Sequence, residues 1–234
     1  MLKSVFFDIY GTLAGFKPSR YEIQSKACKH FGIKVFTHGI TDGYATADEY
    51  MSQQNAHIPI RLLNQEGKNH FFAKYEQLIL RGCNIHVSSK QALKIFQHMQ
   101  KIPYSLAKYP DVVKTLNELS SRGLSLGLIS NLDKTGNMIV KQLGLQGYIH
   151  YPVTSRDAGF NKPNPEIFHA ALNLANVHPS ETVHVGDQPI SDVEGALKVE
   201  IRPVLLDRDN NHKNYNICPR IRTLSELPKL LKSY

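Results

Sequence analysis

Four groups of polar side chains recur along this chain at the points where short apolar segments end. They are Asp8-Ile9-Tyr10-Gly11-Thr12, Ser130-Asn131, Lys162 before Pro163, and Gly186-Asp187 followed by Asp192. One carboxylate after an apolar segment is often only a helix cap. Carboxylates, a hydroxyl and a lysine at four such positions would need four separate coincidences, so we interpret them as parts of one functional site.

The acids of this set, Asp8, Asp187 and Asp192, would repel one another if the fold brought them together. Lys162 and the nearby helix termini would offset only part of that repulsion, so a cation is expected among the carboxylates. A hard cation, which prefers oxygen ligands, would balance such a group of carboxylates. The acids therefore predict a cation site.

The segments that must position these groups alternate between strand and helix patterns. Strands are predicted at 5–7, 124–129, 148–153, 182–185 and 202–206. Helices are predicted at about 110–122, 134–143, 165–176 and 191–198, with Ser225 capping a last helix. This alternation is typical of an α/β protein with a parallel sheet that helices cover on both faces. In such sheets, ligands bind beyond the carboxyl ends of the strands, where the four groups lie.

A different pattern, helical and without a β-rich segment, runs from about residue 19 to residue 101. An apolar stripe from Phe71 to Ile79, closed by Gly82, predicts one amphipathic helix. Helices are also predicted at 21–30, 45–53 and 91–99. We therefore expect an α/β domain made of residues 1–16 and 106–234, with a helical domain of residues 17–105 inserted into it.

Composition excludes several classes of protein. The chain has 234 residues, and its 11 Tyr and 10 Phe can help to fill a sizeable core. No segment approaches the ~18 consecutive apolar residues of a membrane span, and Asp8 interrupts the apolar run that a signal peptide would need. Cys28, Cys83 and Cys218 form no CxxC pair, which favours reduced thiols. We expect a soluble, cytoplasmic protein that does not bind membranes.

The net charge of +8 is concentrated in the inserted region. Residues 17–105 contain 12 Lys and Arg against 6 Asp and Glu, a net +6 that leaves +2 for the rest of the chain. The simpler interpretation is a solvated charged surface on the inserted region. The alternative is that the excess attracts a small anionic substrate, either phosphorylated or a carboxylate. No basic run of five residues occurs, and aromatic residues do not alternate with Lys and Arg, so no nucleic-acid partner is expected. No oligomeric state is predicted.

The four groups, in this order, resemble the motifs of the haloacid dehalogenase-like (HAD) hydrolase superfamily. The resemblance covers residues 1–16 and about 106–234, a Rossmann-like core. Residues 130–133 (SNLD), 159–168 (GFNKPNPEIF) and 184–187 (HVGD) are most similar to those of its phosphatase-type members. The inserted helical region resembles the C1 cap of that family.

The resemblance implies a role for each motif residue. Asp8 would be the nucleophile that forms a covalent aspartyl intermediate. Ser130 and the backbone amides around Gly11 and Asn131 would donate hydrogen bonds to the developing anion. Lys162 would neutralise charge on the substrate and on Asp8. The remaining roles concern the metal and the loop: Asp8, Asp187 and the Tyr10 carbonyl would bind Mg²⁺, Asp192 would hold a metal-bound water or Lys162, and Thr12 would orient the Asp8 loop.

Tyr10 departs from the phosphatase pattern, which has a second aspartate two residues after the nucleophile as general acid and base. A phenol with a pKa of ~10 is a poor base at neutral pH. Asp-x-Tyr-Gly-Thr resembles instead the first motif of 2-haloacid dehalogenases, whose halide leaves without protonation. The paired acids Asp187 and Asp192 contradict that reading, because dehalogenases work without metal.

Three hypotheses follow. The first is a Mg²⁺-dependent phosphatase acting on a small phosphorylated metabolite, with good leaving groups preferred. The alternatives are a 2-haloacid dehalogenase and a catalytically weak member that binds a phosphorylated ligand or a protein. Two nearby residues have simpler readings: Asp133 is expected to cap the helix at Lys134, and His184 is expected to be a packed core histidine.

Overall fold

The computed structural model of the protein describes residues 1–234, with every side chain except that of Ser233. The chain forms two compact units. One unit contains Met1–Gly15 and Ala107–Tyr234, and the other contains Phe16–Leu106. The boundaries predicted from the sequence lie one residue away from each of these divisions.

The first unit is built on a six-stranded parallel sheet. In chain order, the strands are β1 (Ser4–Phe7), β2 (Ala14–Lys17), β3 (Ser105–Lys108), β4 (Ser125–Ser130), β5 (Tyr151–Thr154), β6 (Thr182–Gly186), β7 (Arg202–Leu206) and β8 (Arg220–Ile221). The strand order of the large sheet is β5-β4-β1-β6-β7-β8, and β2 pairs with β3 separately. The predicted α/β class is confirmed, and the N-terminal strand lies inside the sheet between β4 and β6.

Apolar side chains on both faces explain why these segments form central strands. Val5, Phe6 and Phe7 of β1 are all fully buried. A strand that is apolar on both faces belongs in a parallel sheet covered by helices on each side.

The helices follow the predicted alternation. They are α1 (Arg20–His30), α2 (Thr37–His57), α3 (Gln65–Arg81), α4 (Ser89–Met99), α5 (Val112–Ser121), α6 (Gly136–Gln142), α7 (Ser155–Ala158), α8 (Pro165–Ala175), α9 (Gly195–Leu197) and α10 (Leu227–Leu230). Shorter 3-10 turns occur at Ile60–Leu62, Pro179–Glu181, Leu224–Glu226 and Leu231–Ser233, and a π-helical turn occurs at Pro189–Glu194. The start predicted for α8 is confirmed, since the Asn164 side chain accepts a hydrogen bond from the Glu166 amide and Pro165 is the first helical residue.

Two predicted helix starts in the first unit are wrong. Asp133 does not cap α6, which begins at Gly136; the Gly136 amide donates instead to Asp157 Oδ2 at 2.8 Å. Thr223, rather than Ser225, is the N-cap residue of the 3-10 turn Leu224–Glu226 that leads into α10. In the first case a carboxylate from another part of the chain replaces the neighbouring one, which no local pattern reveals.

Other predicted bounds are shifted. The helix predicted at 191–198 is the π-helical turn followed by the short α9, because Pro189 opens the turn earlier. The strand predicted to begin at Tyr148 begins at Tyr151. The helix predicted at 45–53 is the longer α2, with 21 residues.

The second unit consists of α1 to α4 with apolar faces packed together. The helix predicted at 45–53 is shorter than α2, which continues through Gly39 and Gly43. A Cβ atom on Gly43 would lie 2.1 Å from the Ile79 carbonyl oxygen. Glycine therefore permits the close approach of α2 to α3 rather than ending the helix. Within the part of the chain that the structure describes, none of the helices is long and apolar enough to cross a membrane.

Candidate active site

The ends of three neighbouring strands place the predicted site residues at one edge of the sheet. Asp8 follows β1, Ser130 is the last residue of β4, and Asp187 follows β6. The Asp8 amide donates to the Val185 carbonyl of the adjacent strand at 2.9 Å. Because the carboxyl ends of parallel strands meet at one edge, the topology brings together residues that are far apart in the sequence.

Asp8 is buried, with 7% of its surface exposed. One of its carboxylate oxygens, Oδ1, accepts a hydrogen bond from the Ser130 hydroxyl at 2.9 Å and one from Lys162 Nζ at 2.6 Å. Ser130 thus donates to the predicted nucleophile itself in this structure. The two bonds fix the orientation of the carboxylate through a single oxygen.

Lys162 lies between two carboxylates and is only 2% exposed. Its Nζ is 2.6 Å from Asp8 Oδ1 and 2.5 Å from Asp192 Oδ1. Burial acts to lower the pKa of Lys162, but the two carboxylates outweigh burial and raise the pKa above its ordinary value. Lys162 is therefore a charged group in the interior of the first unit, not a surface lysine.

The Asn131 side chain holds the backbone of Lys162. Its Oδ1 accepts from the Lys162 amide at 2.7 Å, and its Nδ2 donates to the Lys162 carbonyl at 3.0 Å. The resemblance predicts that the Asn131 backbone amide donates to the substrate. The two side-chain bonds also position the Lys162 backbone, which the sequence does not predict because the contact joins two separate loops.

Asp192 is bound through both carboxylate oxygens. Oδ1 accepts from Lys162 and lies 2.9 Å from His184 Nε2, while Oδ2 accepts from the Gln188 amide at 2.9 Å. Burial acts to raise the pKa of Asp192, but Lys162 and His184 outweigh it and hold this pKa well below its ordinary value. The contact with Lys162 is one of the two roles predicted for Asp192, and its role in the metal site stays a prediction.

The carboxyl group of Asp8 differs from that of Asp192. Burial raises the pKa of Asp8 above its ordinary value, and the Asp192 charge adds to this effect. Lys162 acts in the opposite direction, but it shares its charge between the two carboxylates. The charged form is therefore favoured strongly at Asp192 and less strongly at Asp8.

The loop after β1 is a compact turn built around the Ile9 carbonyl. That oxygen accepts from the amides of Thr12, Leu13 and Ala14 at 3.2, 2.8 and 2.8 Å, and the Gly11 amide donates to the Ala14 carbonyl at 2.9 Å. The turn itself therefore uses the Gly11 amide, and substrate binding by the amides around Gly11 stays a prediction.

Thr12 is fully buried, and its hydroxyl has no hydrogen-bond partner among the described residues. Thr12 contacts the turn through its backbone, since its amide donates to the Ile9 carbonyl at 3.2 Å, and its predicted role in orienting the Asp8 loop stays a prediction. Tyr10 forms an isolated β-bridge with Ala14, so its backbone belongs to the same turn, and its phenol stands where phosphatases of this pattern have an acid.

Asp187 lies directly against the turn. A Cβ atom on Gly11 would be 2.4 Å from Asp187 Oδ2, and Gly11 has a φ of +78°. Glycine therefore meets two demands here, the left-handed backbone and the space for a carboxylate. Asp187 Oδ2 also accepts a hydrogen bond from Gln188 Nε2 at 2.8 Å.

The oxygen atoms at this edge of the sheet are suitable ligands for Mg²⁺, provided that water supplies the other ligands. Among the described residues, no group of three or more His, Cys, Asp and Glu side chains lies close enough to hold a metal. Mg²⁺ does not need one, because it is usually bound by one or two carboxylates and keeps several waters. Asp8, Asp187 and the Tyr10 carbonyl are a donor set of this kind.

His184 was expected to be a packed core residue, and its burial agrees with that expectation. It is fully buried, and its ring lies edge-on to Phe168 with centroids 5.4 Å apart. Its bond to Asp192 was missed. The available signal was the residue type, because a histidine in the otherwise apolar segment 183–185 requires a polar partner.

Comparison with known proteins gives three relevant matches. A family model described as haloacid dehalogenase-like hydrolase matches residues 2–199. The glyceraldehyde 3-phosphate phosphatase of Methanopyrus kandleri is 29% identical over 216 residues, which is 89% of this chain and 85% of that protein. The crystal structure of a HAD phosphatase from Thermococcus onnurineus is 26% identical, with a TM-score of 0.59 over 98% of each chain.

The fold is shared with dehalogenases as well. A 2-haloacid dehalogenase from Pseudomonas syringae pv. Tomato is 24% identical, and its structure covers 100% of this chain and 99% of its own with a TM-score of 0.58. That likeness concerns the fold alone. The residues at the edge of the sheet, rather than the architecture, must distinguish the two chemistries.

Proposed function

The chain belongs to the haloacid dehalogenase-like hydrolase family, and we propose that it is a Mg²⁺-dependent phosphatase of a small phosphorylated metabolite. The observation that carries this proposal is the excess of acids at the edge of the sheet. Asp8, Asp187 and Asp192 lie there with Lys162 buried between Asp8 and Asp192. A divalent cation would balance the two remaining negative charges.

The relatives support the substrate class. The protein of Methanopyrus kandleri is named for hydrolysis of glyceraldehyde 3-phosphate, a short phosphorylated compound. The net +6 of residues 17–105 is compatible with an anionic substrate of that size. In this proposal, the helical unit Phe16–Leu106 acts as the cap that selects the substrate.

The reaction would begin with attack of an Asp8 carboxylate oxygen on phosphorus. A bond forms between that oxygen and phosphorus while the bond to the leaving oxygen breaks, which gives an aspartyl phosphate. Water then attacks the phosphorus and releases phosphate, and the Asp8 carboxylate is restored. Ser130 would orient Asp8, and Lys162 would neutralise the charge that both partners bring together.

Asp8, Asp187 and the Tyr10 carbonyl would hold Mg²⁺, which supplies Lewis-acid stabilisation of the phosphoryl oxygens when bound. Asp192 would keep Lys162 in place rather than bind the cation. Asn131 would do the same through the Lys162 backbone. The positioning of one lysine by two other residues is the main feature by which this chain prepares its nucleophile.

Tyr10 determines which substrates should react well. Protonation of a departing alkoxide needs an acid near the leaving oxygen, and position 10 does not supply a carboxylic acid. The leaving groups of aryl and acyl phosphates depart without protonation by an acid, so these phosphates should be hydrolysed faster than alkyl phosphates. Tyr10→Asp should raise turnover of an alkyl phosphate; an unchanged rate would disprove the account of the missing acid.

The test is hydrolysis of p-nitrophenyl phosphate with Mg²⁺ and with EDTA, for the unaltered chain, Asp8→Asn and Asp133→Asn. We expect activity that EDTA abolishes and that Asp8→Asn lowers by about 10⁴-fold or more. Asp133→Asn is the matched control, because Asp133 is exposed and follows the same kind of strand. Equal rates for the unaltered chain and Asp8→Asn would refute the phosphatase. Halide release from 2-chloropropionate in EDTA would establish the dehalogenase instead.

Metal binding has a separate readout. Mg²⁺ at about 100 times its dissociation constant should stabilise the folded chain by about 2.7 kcal/mol, measured as a rise in melting temperature. Asp187→Asn should remove most of this rise, while Asp133→Asn should keep it. A rise that is the same in Asp187→Asn would rule out this residue as a ligand.

A further inference from the structure

We infer that Arg208 is a positioning residue that holds the turn carrying Asp8, and this role in catalysis rests on the proposed function. Arg208 is 200 residues from Asp8 in the sequence and follows β7. Its guanidinium contacts the turn through two backbone carbonyls. Nε donates to the Gly11 carbonyl at 3.2 Å, and Nη2 donates to the Thr12 carbonyl at 2.8 Å.

The opposite side of the guanidinium is held by Asp111, immediately before α5. Nη1 donates to Asp111 Oδ2 at 2.9 Å, and Nη2 donates to Asp111 Oδ1 at 3.0 Å. Asp111 Oδ2 also accepts from the Leu224 amide at 2.8 Å. The Leu224 amide therefore helps to orient the Asp111 carboxylate that binds the Arg208 guanidinium.

Tyr109 completes the support. The Arg208 guanidinium lies 4.0 Å from the centroid of the Tyr109 ring, a favourable cation–π arrangement. The Tyr109 amide donates to the Leu13 carbonyl of the turn at 3.1 Å. The carbonyls of residues 11, 12 and 13 are thus all held from outside the turn, while the Ile9 carbonyl organises it from inside.

Electrostatics agree with this geometry. The side chains of Arg208 and Asp111 are 17% and 14% exposed. Burial acts to raise the pKa of Asp111, but the bonds from Arg208 and from the Leu224 amide outweigh it and hold the pKa below its ordinary value. The pair is therefore charged in the folded protein near neutral pH.

Arg208 holds the turn from outside through the Gly11 and Thr12 carbonyls. The turn must keep Asp8 aligned with Ser130 and Lys162, because a nucleophile displaced by about 1 Å can lose ~100-fold in rate. A planar guanidinium can reach two carbonyls and a carboxylate at once. An ammonium group cannot reproduce that fork, so lysine should be a poor replacement.

The experiment compares Arg208→Lys with Arg220→Lys. Arg220 is the matched control, since its Nη1 donates to Asp207 Oδ2 at 2.7 Å in the same unit, and no recorded contact of Arg220 reaches the turn. With p-nitrophenyl phosphate and Mg²⁺, Arg208→Lys should lower kcat by about 10- to 100-fold and change KM by less than about threefold. Arg220→Lys should change neither.

A second readout does not depend on turnover. The amides of Thr12, Leu13 and Ala14 are hydrogen-bonded inside the turn, so their hydrogen exchange reports its stability. In a peptide covering residues 8–15, Arg208→Lys should speed exchange by about tenfold, and Arg220→Lys should leave it unchanged. Asp111→Asn, which removes the support but not the arginine, should give a smaller acceleration.

The outcomes distinguish the role of Arg208 in holding the turn from the proposed phosphatase activity. Faster exchange together with lower kcat in Arg208→Lys supports the inference. Faster exchange in a protein that hydrolyses no phosphate supports the hold on the turn and refutes the phosphatase. Unchanged exchange in the 8–15 peptide, or equal losses of kcat in Arg208→Lys and Arg220→Lys, would overturn the inference.

Discussion

The two units bury polar groups in opposite ways. In the first unit, Asp8, Lys162 and Asp192 form a charged network in which the cation contacts both acids. In the second, Glu76 is fully buried in α3 and its recorded partner is neutral: Gln24 Nε2 donates to Glu76 Oε1 at 2.5 Å. The other oxygen, Oε2, has no hydrogen-bond partner among the described residues.

The pKa values reflect this difference. Lys162 holds the pKa of Asp192 well below its ordinary value despite complete burial. Burial raises the pKa of Glu76 to about 7, and the Gln24 bond offsets only part of the effect. Asp192 thus remains charged because Lys162 and His184 outweigh the effect of burial, whereas at Glu76 an amide does not outweigh it and the protonated form is favoured up to about pH 7.

The largest effect should follow from removing the cation of the charged network. Lys162→Met leaves Asp8 and Asp192 buried without compensation, and breaking a buried pair typically costs about 3–5 kcal/mol of stability. We expect a loss of that order in the free energy of unfolding, measured with urea at pH 7 in EDTA. The loss should shrink as pH falls, because protonated carboxyls no longer need the lysine.

Lys134→Met is the control for this experiment. Lys134 Nζ donates to Gln142 Oε1 at 3.1 Å on the surface, and its removal should change stability by no more than about 0.5 kcal/mol. A deficit in Lys162→Met that stays constant from pH 7 to pH 4 would contradict the electrostatic explanation and indicate lost packing instead.

The neutral network should produce a pH-dependent effect of opposite sign, because the unaltered chain rather than the variant loses stability as pH rises. The folded pKa of Glu76, about 7, lies above its unfolded value of 4.5. Below pH 4.5 both states are protonated. Between pH 4.5 and about 7 only the unfolded chain releases the proton, so stability falls with rising pH and then stays lower. The full deficit above pH 7 is about 3 kcal/mol, from 1.36 kcal/mol per pKa unit.

Glu76→Gln should remove this deficit, because glutamine keeps an oxygen to accept from Gln24 and does not titrate. The stability difference between Glu76→Gln and the unaltered chain should therefore grow by about 3 kcal/mol between pH 4.5 and pH 8. Unfolding in urea at several pH values measures it. Glu49→Gln, at an exposed position in α2, should show no such growth, and a flat difference for Glu76→Gln would refute the raised pKa.

The sequence allowed prediction of the charged site but not of the neutral network. Asp8, Ser130 and Asp187 could be assigned to one place because they follow strands, and the ends of parallel strands converge. Glu76 carries no such signal, since it lies in an ordinary helix pattern and its partner Gln24 is 52 residues away. The contacts of Arg208 with Gly11 and Thr12 could not be predicted for the same reason. Side-chain pairs between separate elements depend on tertiary packing, which local periodicity does not encode.

The smallest effect concerns His184, a neutral donor that joins the charged network. Its Nε2 lies 2.9 Å from Asp192 Oδ1, whereas its Nδ1 is buried without a partner among the described residues. The acceptor is a carboxylate, so the hydrogen belongs on Nε2. Burial is the main cause that lowers the pKa of His184, which keeps the ring neutral. Glutamine can present an amide nitrogen at the position of Nε2, whereas leucine cannot.

We therefore expect His184→Gln to be more stable than His184→Leu by about 1–2 kcal/mol, the usual value of a hydrogen bond to a charged group. Both variants lose the edge-on contact with Phe168, so the difference between them isolates the bond to Asp192. Urea unfolding at pH 7 measures it. Equal stability of the two variants would mean that Lys162 and the Gln188 amide suffice for Asp192, and that the charged network ends at the lysine.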